Sequence, residues 1–286
     1  MSTIKFVTDS AADIPLPLQR ELGIQVLPFS IMMNDREYRD GVDLQPTEFY
    51  RELLAAPQIP THSQLTPIVF EQLYTDALAE GVTDLVYVSI NAKGSSTYEN
   101  AVMTRAAFLE EHPDCGMAIH VLDGGTYTMC YGYGVVLGAR KAREGAGIDE
   151  VLTVIRDWLD HVGLVFATYD LKFAKKSGRI SAAAAFLGEA LGMKPIMTFL
   201  NGESRILSKV RGDKSVIPAQ IARAREEMIP GSPYLCILGS DEAHNQELQA
   251  ACEEAFGYPC VMGSYIGGVI SVNAGPNVVG IIYRKK

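Results

Sequence analysis

Along the first half of the chain, short apolar runs alternate with stretches whose apolar positions recur at intervals of three and four. Residues 4–8 form the first such run, and a turn through Asp9 and Ser10 leads into a helix whose first turn carries Pro15 and Pro17. Gly23 ends that helix, and residues 24–32 read as one further strand. Strands are predicted again at 84–90 and 118–122, each followed by a turn and a helical pattern such as that of 97–111. Helices are predicted at 46–54 and 67–80, the second opened by a Thr66 cap and Pro67 at its first position. Residues 60–64, just before it, read as a polar loop among apolar neighbours. Strand, helix and strand repeated in this order predict a mostly parallel sheet covered on both faces.

The second half is less regular. Helical patterns fall at 149–161, 170–176, 181–191, 215–228 and 245–257, and β-type runs at 164–168, 234–239, 269–272 and 279–283. Asn201-Gly202, between the apolar runs 195–200 and 204–209, predicts a hairpin. A chain of 286 residues is long enough for two cores. The expected fold is therefore α/β in two domains: an N-terminal domain over 1–162 with a mostly parallel sheet, and a C-terminal α/β domain over 163–286 with its own sheet.

Composition narrows the function. A net charge of −9 argues against nucleic acid as a partner, because phosphate recognition needs clustered Lys and Arg. Five scattered cysteines without a C-x-x-C pair fit reduced thiols in a cytoplasmic protein and neither a disulfide framework nor a zinc site. No run approaches roughly 18 apolar residues, so no integral membrane segment is expected. No secretory pattern precedes Ile4.

Motifs for phosphate cradling, for a serine nucleophile elbow and for a zinc protease are absent, and no cofactor is expected. Gly132, Gly134 and Gly138 fall inside a helical pattern, so close helix packing explains them better than a dinucleotide site does. No two histidines are spaced for a metal on one helix, and only His62 lies in a segment that stands out. Three loops are dense in hydroxyls: Thr8-Asp9-Ser10, Thr61-His62-Ser63 and Gly94-Ser95-Ser96-Thr97. Each sits at the end of a predicted strand or the start of a helix, and each alone is an ordinary cap. Three in one domain point to a site for a small anionic head group.

At these loops the sequence resembles the DegV family of bacterial fatty acid-binding proteins. The matching stretches are Val7-Thr8-Asp9-Ser10 with Asp13, Ile59-Pro60-Thr61-His62-Ser63-Gln64, Ser95-Ser96-Thr97-Tyr98 and Val121-Leu122-Asp123. They continue through Lys176-Ser177-Gly178-Arg179-Ile180-Ser181, Gly192-Met193-Lys194-Pro195, Lys209-Val210-Arg211 and Ala274-Gly275-Pro276, in the family's order. The resemblance implies a non-catalytic carrier that buries a long-chain fatty acid between two domains, with walls drawn from residues 182–191 and from Ile266, Val269 and Ile270. It implies carboxylate contacts from Ser95, Ser96 and Thr97, from Thr61 and His62, and from Asn273. Here His62 stands where the family has Thr, Ser96 where it has Gly, and Asn273 where it has His. The resemblance further implies that a separate fatty acid kinase phosphorylates the bound acid, docking through Arg179 and Arg211. A competing reading is a hydrolase with Ser95 or Ser96 as nucleophile and His62 as base.

Overall fold

The computed structural model describes residues 3–182 and 192–286, so most of the helical pattern at 181–191, a candidate wall of the ligand site, lies outside the described residues. Contacts divide the chain into two units, Met1–Ser30 with His62–Asp160, and Ile31–Thr61 with His161–Lys286. The chain passes between the units at three places, after Ser30, Thr61 and Asp160.

The first unit is built on a four-stranded sheet of β1 (Ile4–Asp9), β2 (Gln25–Leu27), β6 (Asp84–Ser89) and β7 (Ala118–Asp123), in the order β2-β1-β6-β7. Every neighbouring pair is parallel. In β6 five of the six residues are buried, which is why its sequence reads as a continuous apolar run rather than an alternation. The helices are α1 (Leu16–Leu22), α3 (Pro67–Ala79), α4 (Thr97–Glu111), α5 (Met129–Arg143) and α6 (Ile148–His161). Gly23 closes α1 in the left-handed region at φ 68°.

The glycines of α5 serve close packing, as their place in a helical pattern suggested. A Cβ on Gly132 would stand 2.4 Å from the Ala12 carbonyl oxygen, and one on Gly138 would stand 2.6 Å from Ile155 Cδ1. Helix α5 therefore approaches the turn after β1 at backbone distance. Trp158 of α6 donates its indole N–H to the Cys130 carbonyl at 2.7 Å and closes the other side.

Residues 24–32 do not form one strand. Pro28, with no N–H to give to a ladder, separates β2 from β3 (Ser30–Met33). A small sheet follows, in the order β4-β3-β5, from β3, β4 (Arg36–Arg39) and β5 (Thr61–Ser63). The segment expected as a polar loop at 60–64 thus contains a short strand.

The second unit has a six-stranded sheet of β8 (Val162–Thr168), β9 (Met193–Leu200), β10 (Glu203–Arg211), β11 (Tyr234–Leu238), β12 (Met262–Tyr265) and β13 (Val278–Arg284). Its order is β10-β9-β8-β13-β11-β12, antiparallel except for the β11–β12 pair. The expected hairpin joins β9 to β10, with Asn201 at φ 50° and Gly202 at φ 77°, the two positive angles a tight two-residue turn needs. The helices are α2 (Pro46–Ala55), α7 (Leu171–Ser177), α8 (Val216–Glu227), α9 (Glu242–Phe256) and α10 (Gly268–Ala274). Residues 269–272, expected as a strand, lie in α10. A short buried apolar run fits either state, and here the Asp40 carboxylate settles it by accepting from the N–H groups of Gly268 (2.8 Å) and Val269 (3.4 Å).

Among the described residues all five cysteines are free, no helix is long and apolar enough to cross a membrane, and no group of His, Cys, Asp and Glu is arranged to hold a metal ion.

Candidate functional site

Because β1, β6 and β7 run parallel, their last residues Asp9, Ser89 and Asp123 share one edge of the first unit's sheet. Ligands of open α/β sheets bind outside this carboxyl edge. The loop from β6 to Ser95 leaves from it, and its amides are held one after another. Ile90 N–H donates to Asp9 Oδ2 (2.8 Å), Asn91 N–H to the Thr126 carbonyl (3.1 Å), and Ala92 N–H to Asp123 Oδ1 (3.0 Å). Lys93 N–H donates to Asn91 Oδ1 (3.2 Å) and Gly94 N–H to the Asn91 carbonyl (3.0 Å). A Cβ on Gly94 would lie 2.3 Å from the Tyr127 hydroxyl, so any side chain there would have to displace that ring. With every N–H from 90 to 94 engaged, the loop delivers Ser95 in a fixed place.

Ser95 and Thr97 come together, with Ser95 Oγ 2.9 Å from Thr97 Oγ1. Thr97 is fully buried and its hydroxyl accepts from Leu65 N–H (3.3 Å), while Asn100 Nδ2 donates to the Leu65 carbonyl (2.8 Å). These two bonds tie the segment after His62 to the start of α4. Ser96 is exposed and gives its carbonyl to the Asn100 N–H. His62 is half-buried, and Phe29 meets its ring edge-on with centroids 6.4 Å apart.

The turn after β1 is the most polar part of this buried edge. Asp9 is inaccessible to solvent, and its carboxylate accepts from the hydroxyls of Tyr131 (2.6 Å) and Tyr87 (3.1 Å) as well as from Ile90 N–H. Burial raises its pKa from 3.8 to about 6, against the hydrogen bonds from Tyr131, Ile90, Tyr87 and Ala11, which lower it. Burial, reinforced by the Asp9 charge, holds both tyrosine hydroxyls well above their usual range. Ser10 Oγ accepts from Phe29 N–H at 3.1 Å.

The remaining candidates belong to the second unit. Thr61 is exposed on β5. Asn273 sits in the last turn of α10 and donates back to the Val269 carbonyl at 2.7 Å. Helix α10 is fixed at both ends, by Asp40 at its start and by Thr168, whose hydroxyl donates to the Ala274 carbonyl at 2.6 Å. Arg179 and Arg211 are both exposed. The Arg179 guanidinium lies on the Ser177 carbonyl at 3.0 Å, and the Arg211 carbonyl accepts from Ser215 Oγ at 3.0 Å. Tyr87, Tyr131 and Asn91 carry no signal in the sequence, since none falls in a hydroxyl-rich loop, and Asp40, which beside Asp43 reads as a solvated carboxylate, is buried.

Comparison with known proteins places this arrangement in a family. A DegV domain-containing protein of Clostridium perfringens is 31% identical over 99% of both chains, and one of Caldanaerobacter subterraneus is 30% identical over the whole of both. Among solved structures, a fatty acid-binding DegV family protein from Thermus thermophilus superposes with a TM-score of 0.82 at 28% identity, covering 99% of this chain and 100% of that one. A DegV lipid-binding protein from Thermotoga maritima gives a TM-score of 0.84 at 26% identity over 99% and 100%. The family model described as uncharacterised protein, DegV family, matches residues 3–286, so the chain belongs to the DegV family.

Proposed function

We propose that this protein is a carrier that binds a long-chain fatty acid and holds its carboxylate at the carboxyl edge of the first unit's parallel sheet. The observation that carries the reading is the joined pair Ser95 and Thr97, two hydroxyls 2.9 Å apart on a fully anchored loop. Hydroxyls can donate to a carboxylate without neutralising it, which satisfies the buried charge and orients it. The partner of Ser95 is a second hydroxyl, which is a poor base at neutral pH, and this favours a carrier over a hydrolase with a Ser95 nucleophile. Affinity then comes from the chain: burying ten methylenes at ~0.8 kcal/mol each gives ~8 kcal/mol, or roughly micromolar binding before ordering costs. The Thermus and Thermotoga relatives, described as fatty acid-binding and lipid-binding, support the same reading.

Thr61, His62, Ser96 and Asn273 are the further candidates for the head group. The bound acid is presented to a separate fatty acid kinase, for which the exposed Arg179 and Arg211 supply docking charge. Replacing either arginine with Ala should lower acyl phosphate formation by such a kinase and leave fatty acid affinity unchanged. The primary test is extraction of the purified protein with organic solvent and mass spectrometry of the extract. A stoichiometric long-chain fatty acid is expected, and an extract without one, from protein that also fails to take up added fatty acid, would refute the reading.

A further inference from the structure

We propose that Asp9 is a positioning residue for the head-group site, holding the Ser95 loop through the Ile90 N–H and reaching the His62 side through its neighbour Ser10. The inference rests on the fatty acid reading above. Two lines of contact carry it. One runs from Asp9 Oδ2 to Ile90 N–H (2.8 Å), the first of the five consecutive amides that fix the approach to Ser95. The other runs from Ser10 Oγ to Phe29 N–H (3.1 Å), and Phe29 meets the His62 ring edge-on. One turn at the end of β1 therefore anchors both sides of the candidate site.

Asp9 is the ionisable member of this turn that touches the Ser95 loop directly. The groups facing it are Tyr87 from β6 and Tyr131 from α5, with Asp13 acting on Tyr131 through its charge. A carboxylate at that place makes charge-assisted bonds, which are roughly twice as strong as neutral ones. On protonation its new O–H must be donated to a tyrosine oxygen, and the bond to Ile90 N–H becomes a neutral one. The grip on the Ser95 loop should then loosen as pH falls through about 6. Global stability responds with the opposite sign, because the protonated form suits a buried site better.

The test compares palmitate affinity of the wild type, Asp9→Asn and Asp9→Ala between pH 5 and pH 8, with amide hydrogen exchange over residues 90–97 measured alongside. Titration of the ligand carboxyl is common to all three proteins and cancels in the ratio of affinities. On acidification the affinity of the wild type relative to Asp9→Asn should fall about three- to tenfold, reflecting the halved strength of the bond. Asp9→Ala should bind more weakly than Asp9→Asn throughout and exchange faster over 90–97. A flat ratio would make Asp9 a structural residue only, and a ratio rising on acidification would mean that its charge repels the ligand; either overturns the proposal. If the wild type binds no palmitate, the fatty acid reading fails and exchange alone decides: faster exchange confined to Asp9→Ala supports the positioning role, and unchanged protection overturns it.

Discussion

Each unit fixes its candidate ligand-side element with a buried aspartate, and the two do so by different physics. In the second unit Asp40 caps α10, accepting from the free N–H groups of Gly268 and Val269 at a helix start, where a negative charge is favoured. In the first unit Asp9 accepts from two tyrosine hydroxyls and from Ile90 N–H, with no cation bonded to it among the described residues and no solvent access. The first arrangement stabilises a helix. The second places a charge where burial opposes it, so Asp9 costs stability at neutral pH, and the positioning role proposed above is what would offset that cost.

The largest expected consequence is a pH dependence specific to the first unit. Asp9 has a folded-state pKa of about 6 against an ordinary value of 3.8. Raised above the unfolded value, it contributes stability that is present below pH 3.8 and lost as pH rises to about 6, by about 3 kcal/mol in all. Urea unfolding of Asp9→Asn and the wild type should therefore diverge, the variant gaining that amount relative to the wild type between pH 3.5 and pH 7. Curves that stay parallel over this range would remove the difference between the two aspartates.

Next in size is the close approach behind the Asp9 turn. Gly132→Ala sets a Cβ against the Ala12 carbonyl oxygen, a backbone atom that cannot swing aside. A loss of about 2 to 3 kcal/mol is expected in urea unfolding. A variant as stable as the wild type would show that α5 does not constrain the turn.

Smaller again is the cap of the second unit. Asp40→Ala removes two acceptors from the start of α10 and should cost about 2 kcal/mol. Hydrogen exchange should quicken over residues 268–274 and stay unchanged over 90–97. Asp40→Asn, which keeps one acceptor oxygen, should recover part of the loss.

The same contrast explains what the sequence made legible. The parallel sheet of the first unit follows from runs of local pattern, and the Gly132 and Gly138 contacts follow from glycines placed at helical spacing. The Asn201-Gly202 hairpin is equally local. The corrected elements are those decided from far away in the chain. Residues 269–272 read as a strand until Asp40, 228 residues from Gly268, supplies a helix cap. Of the candidate site, Ser95 and Thr97 stood out as hydroxyls in a loop, whereas Tyr87 and Tyr131 look like ordinary core residues until they meet Asp9, 78 and 122 positions away. The break at Pro28 was visible in principle, since proline in an apolar run argues against a continuous strand.

The most direct test of the carrier account is to measure long-chain fatty acid affinity and ester hydrolysis side by side for the wild type and Ser95→Ala. The alanine removes one charge-assisted hydrogen bond, worth roughly 1.5 to 3 kcal/mol, and leaves the acyl chain's burial in place. Binding should weaken by roughly ten- to a hundredfold, with no hydrolysis in either protein. A robust wild-type hydrolysis that Ser95→Ala abolishes while substrate binding stays intact would contradict the account and make Ser95 a nucleophile.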